Sequence, residues 1–155
     1  MISKVYEYVG PPLTRTSLEA LLNELGVQAR AYSLYGAHLP ESIVIDHRPS
    51  GWFVFYTERG DESGVRTHPV EADACLDLLG RVTSEDHNFF EMVAGPALPE
   101  IADAAFDEWL AQRSLTRHDL GLQEWKSQDS AWVAGQPYYR RYWVRAASVR
   151  RRLAT

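Results

Sequence analysis

Apolar residues recur along the chain with two different periods, and the switches between them mark out its elements. Leu18, Leu21, Leu22 and Leu25 fall at i, i+3, i+4 and i+7, the spacing of one helix face. Thr16 with Glu19 three residues later forms a capping-box pattern. Gly26 stands where a left-handed residue ends a helix. A helix is therefore predicted over residues 17–25. The period then shortens. Residues 42–47 contain Ile43, Val44 and Ile45, and residues 52–56 are aromatic and β-branched, a composition that suits strands. Almost every residue of 52–56 is apolar, so a central strand covered on both faces is expected. Turn chemistry at 47–51 and 59–64 separates these runs from a third strand at 65–68, giving an antiparallel meander. Cys75, Leu78, Leu79 and Val82 return to helical spacing, with Glu71, Asp73 and Asp77 on the other face.

The second half is patterned differently. Ser84, Glu85 and Asp86 read as a helix start that Gly95 and Pro96 break. Pro99 suits the first turn of another helix, and Ile101, Ala102, Ala105, Phe106, Trp109 and Leu110 give it an apolar face as far as about residue 112. Residues 130–133 and 138–144 flank a turn at 134–137, either a last hairpin or a lead into a helix. Residues 144–153 read as an exposed basic helix. The expected fold class is α+β in a single domain over residues 1–155. Its first part, 18–82, is a small antiparallel three-stranded meander flanked by helices. Its second, 84–155, is mainly helical, with the final hairpin left open and a basic tail.

Composition excludes several classes. The 155 residues are 45% hydrophobic and 24% charged, ordinary for a folded domain and unlike a disordered chain. The first residues lack a basic stretch followed by a long apolar run, and no window approaches a membrane-spanning length. Cys75 is the only cysteine, which rules out an intrachain disulfide and a cysteine-based zinc site. A cytoplasmic protein with no membrane association is expected. Net charge is −5, but it is unevenly spread. Residues 1–110 carry 7 Lys and Arg against 18 Asp and Glu, whereas residues 111–155 carry 9 against 3. Such a dipole steers charged partners.

Candidate chemistry is sparse. No two of the five histidines, His38, His47, His68, His87 and His118, are closer than 9 positions, which is not the spacing of a metal-binding pair. Ser50-Gly51 and Ser63-Gly64 lie in turns and lack the flanking glycine of a nucleophile elbow. Gly60 and Gly64 precede a strand, whereas phosphate-cradling glycines precede a helix. Cys75 lies on an apolar helix face beside acids, the setting of a buried, inert thiol. No catalytic residue, metal ligand or cofactor is therefore expected. The residues that do point to a role surround the meander. Glu41, Asp46, Glu58, Asp61 and Glu62 gather about its turns as one negative rim. Glu58-Arg59 ends the aromatic strand, where contact residues often lie, and Trp52 and Tyr56 supply interface-type aromatics. Arg140, Arg141, Arg145 and Arg150–Arg152 interleave with Tyr138, Tyr139, Tyr142 and Trp143. That mixture can hold nucleic acid, but a sequence pI near 5.5 argues against a nucleic-acid partner.

Four segments carry a resemblance: Ala31-Tyr32-Ser33-Leu34-Tyr35-Gly36, then Glu41-Ser42-Ile43-Val44-Ile45, then Gly51-Trp52-Phe53-Val54-Phe55-Tyr56-Thr57-Glu58-Arg59-Gly60, then Glu71-Ala72-Asp73-Ala74-Cys75-Leu76-Asp77-Leu78-Leu79. Together they are similar to small bacterial immunity proteins of polymorphic and contact-dependent toxin systems, over residues 18–82. The resemblance implies a protein that neutralises a cognate toxin domain by occupying its active site or substrate cleft. The expected partner is basic, a nuclease or a nucleotide-cleaving enzyme. Two alternatives stand beside it. One is a small enzyme with His47, His68 and Glu58 gathered around one cleft. The other is a generic protein-binding adaptor that uses the basic tail.

Overall fold

The first helix begins earlier than the sequence pattern places it. In the computed structural model, which describes residues 6–130 and 138–154, α1 spans Arg15–Leu25. Its N-cap is Thr14, whose side chain accepts from the Ser17 amide, and Ser17 returns the bond to the Thr14 amide. A serine at the third helical position thus fills the role expected of Glu19. Gly26 ends the helix at φ 85°, as its left-handed tolerance predicts.

The chain comprises two compact units, Met1–Phe89 and Phe90–Thr155. In the first, a four-stranded mixed sheet runs in the order β1-β2-β3-β4. The strands are β1 (Tyr32–Ser33), β2 (Ser42–Arg48), β3 (Gly51–Glu58) and β4 (Asp61–His68). This overturns the three-stranded meander: β1 adds a parallel partner to β2. At two residues, β1 is too short to leave an alternating pattern. The second turn is also tighter than expected. It consists of Arg59 and Gly60 alone, at φ 52° and 83°, the two positive values of a type I′ hairpin. Helix α2 (Glu71–Thr83) packs with α1 on one sheet face. Leu18 and Leu22 of α1, Cys75, Leu78, Leu79 and Val82 of α2, and Ile45, Trp52 and Val54 of the sheet form one core. The opposite face carries Val44 and Phe55, both fully buried, so β3 is covered on both sides.

The second unit corrects the expectation of a mainly helical half. It holds a three-stranded antiparallel sheet in the order β5-β7-β6, from β5 (Phe90–Ala97), β6 (Trp125–Ser130) and β7 (Tyr139–Arg145). Gly95 and Pro96, read from sequence as helix breakers, instead interrupt an edge strand, the place where a sheet tolerates proline. The helix start at Ser84 yields only one turn of 3-10 helix, Asp86–Phe89. A last hairpin does form, with Ser130 opposite Tyr139. The expected strand residues 131–133 and turn 134–137 lie outside the described residues. Helix α3 (Pro99–Ala111) lays Ala102, Phe106 and Leu110 against Tyr142 and Val144 of the central strand. Helix α4 (Ala146–Leu153) is the basic terminal helix.

Candidate partner-binding surface

The alternation of β2 puts Asp46 and Arg48 on the same face as Val44, and the β2–β3 register brings Phe53 and Phe55 beside them. Arg48 closes over this face. Its guanidinium lies 4.7 Å from the Phe53 ring centroid and 5.1 Å from that of Phe55. Arg48 Nε donates to Asp46 Oδ2 at 2.8 Å and Nη2 to Glu62 Oε2 at 2.6 Å. These bonds, Glu62 first, hold the guanidinium pKa above its ordinary value. His38 Nε2 lies 3.0 Å from the same Glu62 oxygen. Asp46 and Glu62, both expected in one negative rim, are thereby tied to a cation. Gly36 belongs to this cluster: at φ 86°, an added Cβ there meets Asp46 Oδ1 at 2.6 Å, so only glycine fits.

The other three acids meet elsewhere. Ser42 pairs with Thr57, and Glu58 pairs with Asp61. Glu41, one residue before Ser42, therefore stands beside Glu58. Glu41, Glu58 and Asp61 form a row across three strands at one end of the sheet, and all three are exposed. No cation among the described residues lies in ion-pair range of any of them. Half-buried Tyr56 precedes the row, and desolvation, then Glu58 and Glu41, raise its phenol pKa. Arg59 is exposed at the hairpin tip. Among the described residues the non-glycine residues at positive φ are Glu41, Arg59 and Ser114; the first belongs to this row, and the second lies between Glu58 and Asp61 in the hairpin turn.

Trp52 stands apart from the rim. It belongs to the helix-side core at 9% exposure, stacked on His47 at 3.9 Å and 3°. The Arg15 guanidinium lies over its ring at 4.8 Å and over Tyr35 at 4.5 Å. His47, Trp52 and His68 are consecutive across the sheet, with Trp52 in the middle. His68 is engaged by Asp77 at 2.8 Å, and Asp77, 5% exposed, also receives Arg81. Glu58 is six residues along β3 from Trp52, roughly 20 Å. The sheet does not bring His47, His68 and Glu58 together. Cys75 is fully buried; burial, then the Glu71 charge, pushes its thiol up to about 11. No group of three potential metal ligands converges among the described residues.

In the second unit, the arginine–aromatic run is divided by β7's alternation. Tyr142 is buried and stacks on Phe106 at 4.3 Å. Arg140 reaches Asp103 at 2.8 Å and Asp129 at 2.7 Å. Sequence reading missed the Arg48 clamp and this Arg140 pairing. The i, i+2 spacing of Asp46 and Arg48 signalled the first. Nothing local signalled the second, because Asp103 lies 37 positions from Arg140.

Comparison with protein-family models, curated proteins and solved structures returns no match.

Proposed function

We propose that this chain binds a basic protein through the exposed end of its first sheet, and that this partner is a toxin domain whose active site or substrate cleft it blocks. The acidic row carries the reading. Of the five acids gathered about the sheet turns, Asp46 and Glu62 are answered by Arg48. Glu41, Glu58 and Asp61 are not, although like charges side by side on neighbouring strands destabilise a sheet. Lysines and arginines of a partner relieve that repulsion on binding. Positive φ at Glu41 adds support, since backbone strain concentrates at functional positions. Tyr56 offers an amphipathic ring of the kind that anchors interfaces.

The identity of the partner rests on the resemblance to toxin-neutralising immunity proteins over residues 18–82. A nuclease or nucleotide-cleaving toxin carries a basic surface for its substrate's phosphates, which an acidic row complements. Charge complementarity of this type acts mainly on the association rate. In this reading the chain works in the cytoplasm and makes no bonds itself.

The test is to identify the neighbouring gene and to co-express this chain with any toxin domain it encodes. Restored growth and a stable purified complex are expected. Growth arrest despite soluble chain, with no complex formed, refutes the toxin assignment.

A further inference from the structure

The second unit contains a cleft of about 510 Å³ lined by Gln123, Glu124, Arg145, Ser148, Arg151 and Arg152. Its walls are fixed by internal bonds. The Arg145 amide donates to the Glu124 carbonyl at 2.8 Å, and Arg145 Nε donates to the Gln123 carbonyl at 3.2 Å. Glu124 takes the Gly121 amide at 3.0 Å and is held by Arg152, whose Nε lies 2.8 Å from its Oε2. Ser148 and Arg152 recur at i and i+4 on one side of α4, and Arg145 is its N-cap residue. The described lining residues thus include three guanidinium groups and one carboxylate. That carboxylate is already committed to Arg152 and to a backbone amide. Arg151 is exposed, and its Nη2 meets the Ser148 hydroxyl at 3.3 Å. Among the described residues it has no carboxylate in ion-pair range.

We propose that this cleft binds a small phosphorylated ligand, with Arg145, Arg151 and the Ser148 hydroxyl receiving the phosphate. Guanidinium forks match phosphate oxygens and give charge-assisted bonds about twice as strong as neutral ones. Among the described residues the lining contains no aromatic ring, so none of them stacks a nucleobase as a nucleic-acid strand requires. A phosphate ester or polyphosphate fits better. The Gln123 amide remains to recognise a neighbouring hydroxyl. This inference is independent of the acidic row and of the toxin assignment.

The experiment titrates the isotope-labelled full chain with inorganic phosphate, with pyrophosphate and with a short oligothymidylate, followed by NMR. Inorganic phosphate is expected to shift the Gln123 and Ser148 amides and the Arg145 and Arg151 Nε–H signals together, with Kd about 1 mM. Pyrophosphate binds more tightly at the same signals. Arg151→Gln, an exposed substitution, weakens both by about tenfold, the loss of one charge-assisted bond. The proposal is overturned if those signals stay fixed in the wild-type chain, or if Arg151→Gln binds pyrophosphate unchanged. It is equally overturned if the oligothymidylate binds tighter than pyrophosphate, with shifts spread along β6 and β7; the surface then serves nucleic acid.

Discussion

Replacing Arg48 by methionine isolates the contribution of the clamp on the second face of the first sheet. Methionine keeps an apolar stem over Phe53 and Phe55 but removes the fork that joins Asp46 to Glu62. The two ion pairs are partly exposed, with side-chain accessibilities of 26–30%, so each is assigned about 0.5 kcal/mol. The cation–ring contacts add about 0.5 kcal/mol. Repulsion between the two carboxylates, once they share no cation, adds about 0.5 kcal/mol. The expected loss is about 2 kcal/mol, read as a lower urea midpoint at unchanged slope. Arg48→Lys keeps charge without the fork and is expected to lose about half as much. In the double variant Arg48→Met with Glu62→Gln, the two losses do not add, because the groups share one bond. If Arg48→Met lies within about 0.5 kcal/mol of wild type, as an ordinary surface substitution does, the clamp stabilises nothing. The same variant frees Asp46 and Glu62, so it is also expected to quicken capture of a basic partner while weakening the fold.

Gly36→Ala forces a side chain into a left-handed position and against Asp46 Oδ1, so it is expected to destabilise by about 2 kcal/mol, seen in the same unfolding assay. Cys75 is expected to resist thiol reagents at pH 8 in the native chain and to react at once in denaturant, because its thiol titrates near 11 behind a closed core. Glu124 titrates at about 2 in the folded chain, mainly through its bond to Arg152, against an ordinary 4.5. Its contribution is present above pH 4.5 and is lost as pH falls towards 2. In acid titrations followed by circular dichroism, Glu124→Gln should be less stable than wild type near pH 6, and the two curves should meet near pH 2.

Helices were legible in this sequence wherever an apolar face and a terminator coincided. Leu18 and Leu22, and Cys75, Leu78, Leu79 and Val82, all fall in the core as their spacing requires. β2 and β3 were legible because each carries a β-branched or aromatic run, Ile43 to Ile45 and Trp52 to Tyr56. β6 was not: Trp125–Ser130 is polar along most of its length, and its pairing is set by β7 rather than by its own residues. β5 was hidden by Gly95 and Pro96, whose meaning reverses between a helix interior and a sheet edge. The acidic rim was half legible. Composition placed five carboxylates near two turns, but only strand register separates Glu41, Glu58 and Asp61 from the pair that Arg48 holds. Trp52 looked like a contact residue because aromatics serve cores and interfaces alike, and its stacking on His47 is invisible before β2 and β3 are aligned.

The central claim is that an unpaired acidic row captures a basic macromolecule. Its most direct measurement is stopped-flow association with a toxin domain that this chain neutralises on co-expression, across a range of salt, for wild type and for the triple variant Glu41→Lys, Glu58→Lys, Asp61→Lys. The account predicts an association rate lowered by about a hundredfold at low salt, with a much flatter salt dependence and a smaller change in dissociation. Equal association rates and parallel salt slopes for the two proteins contradict it.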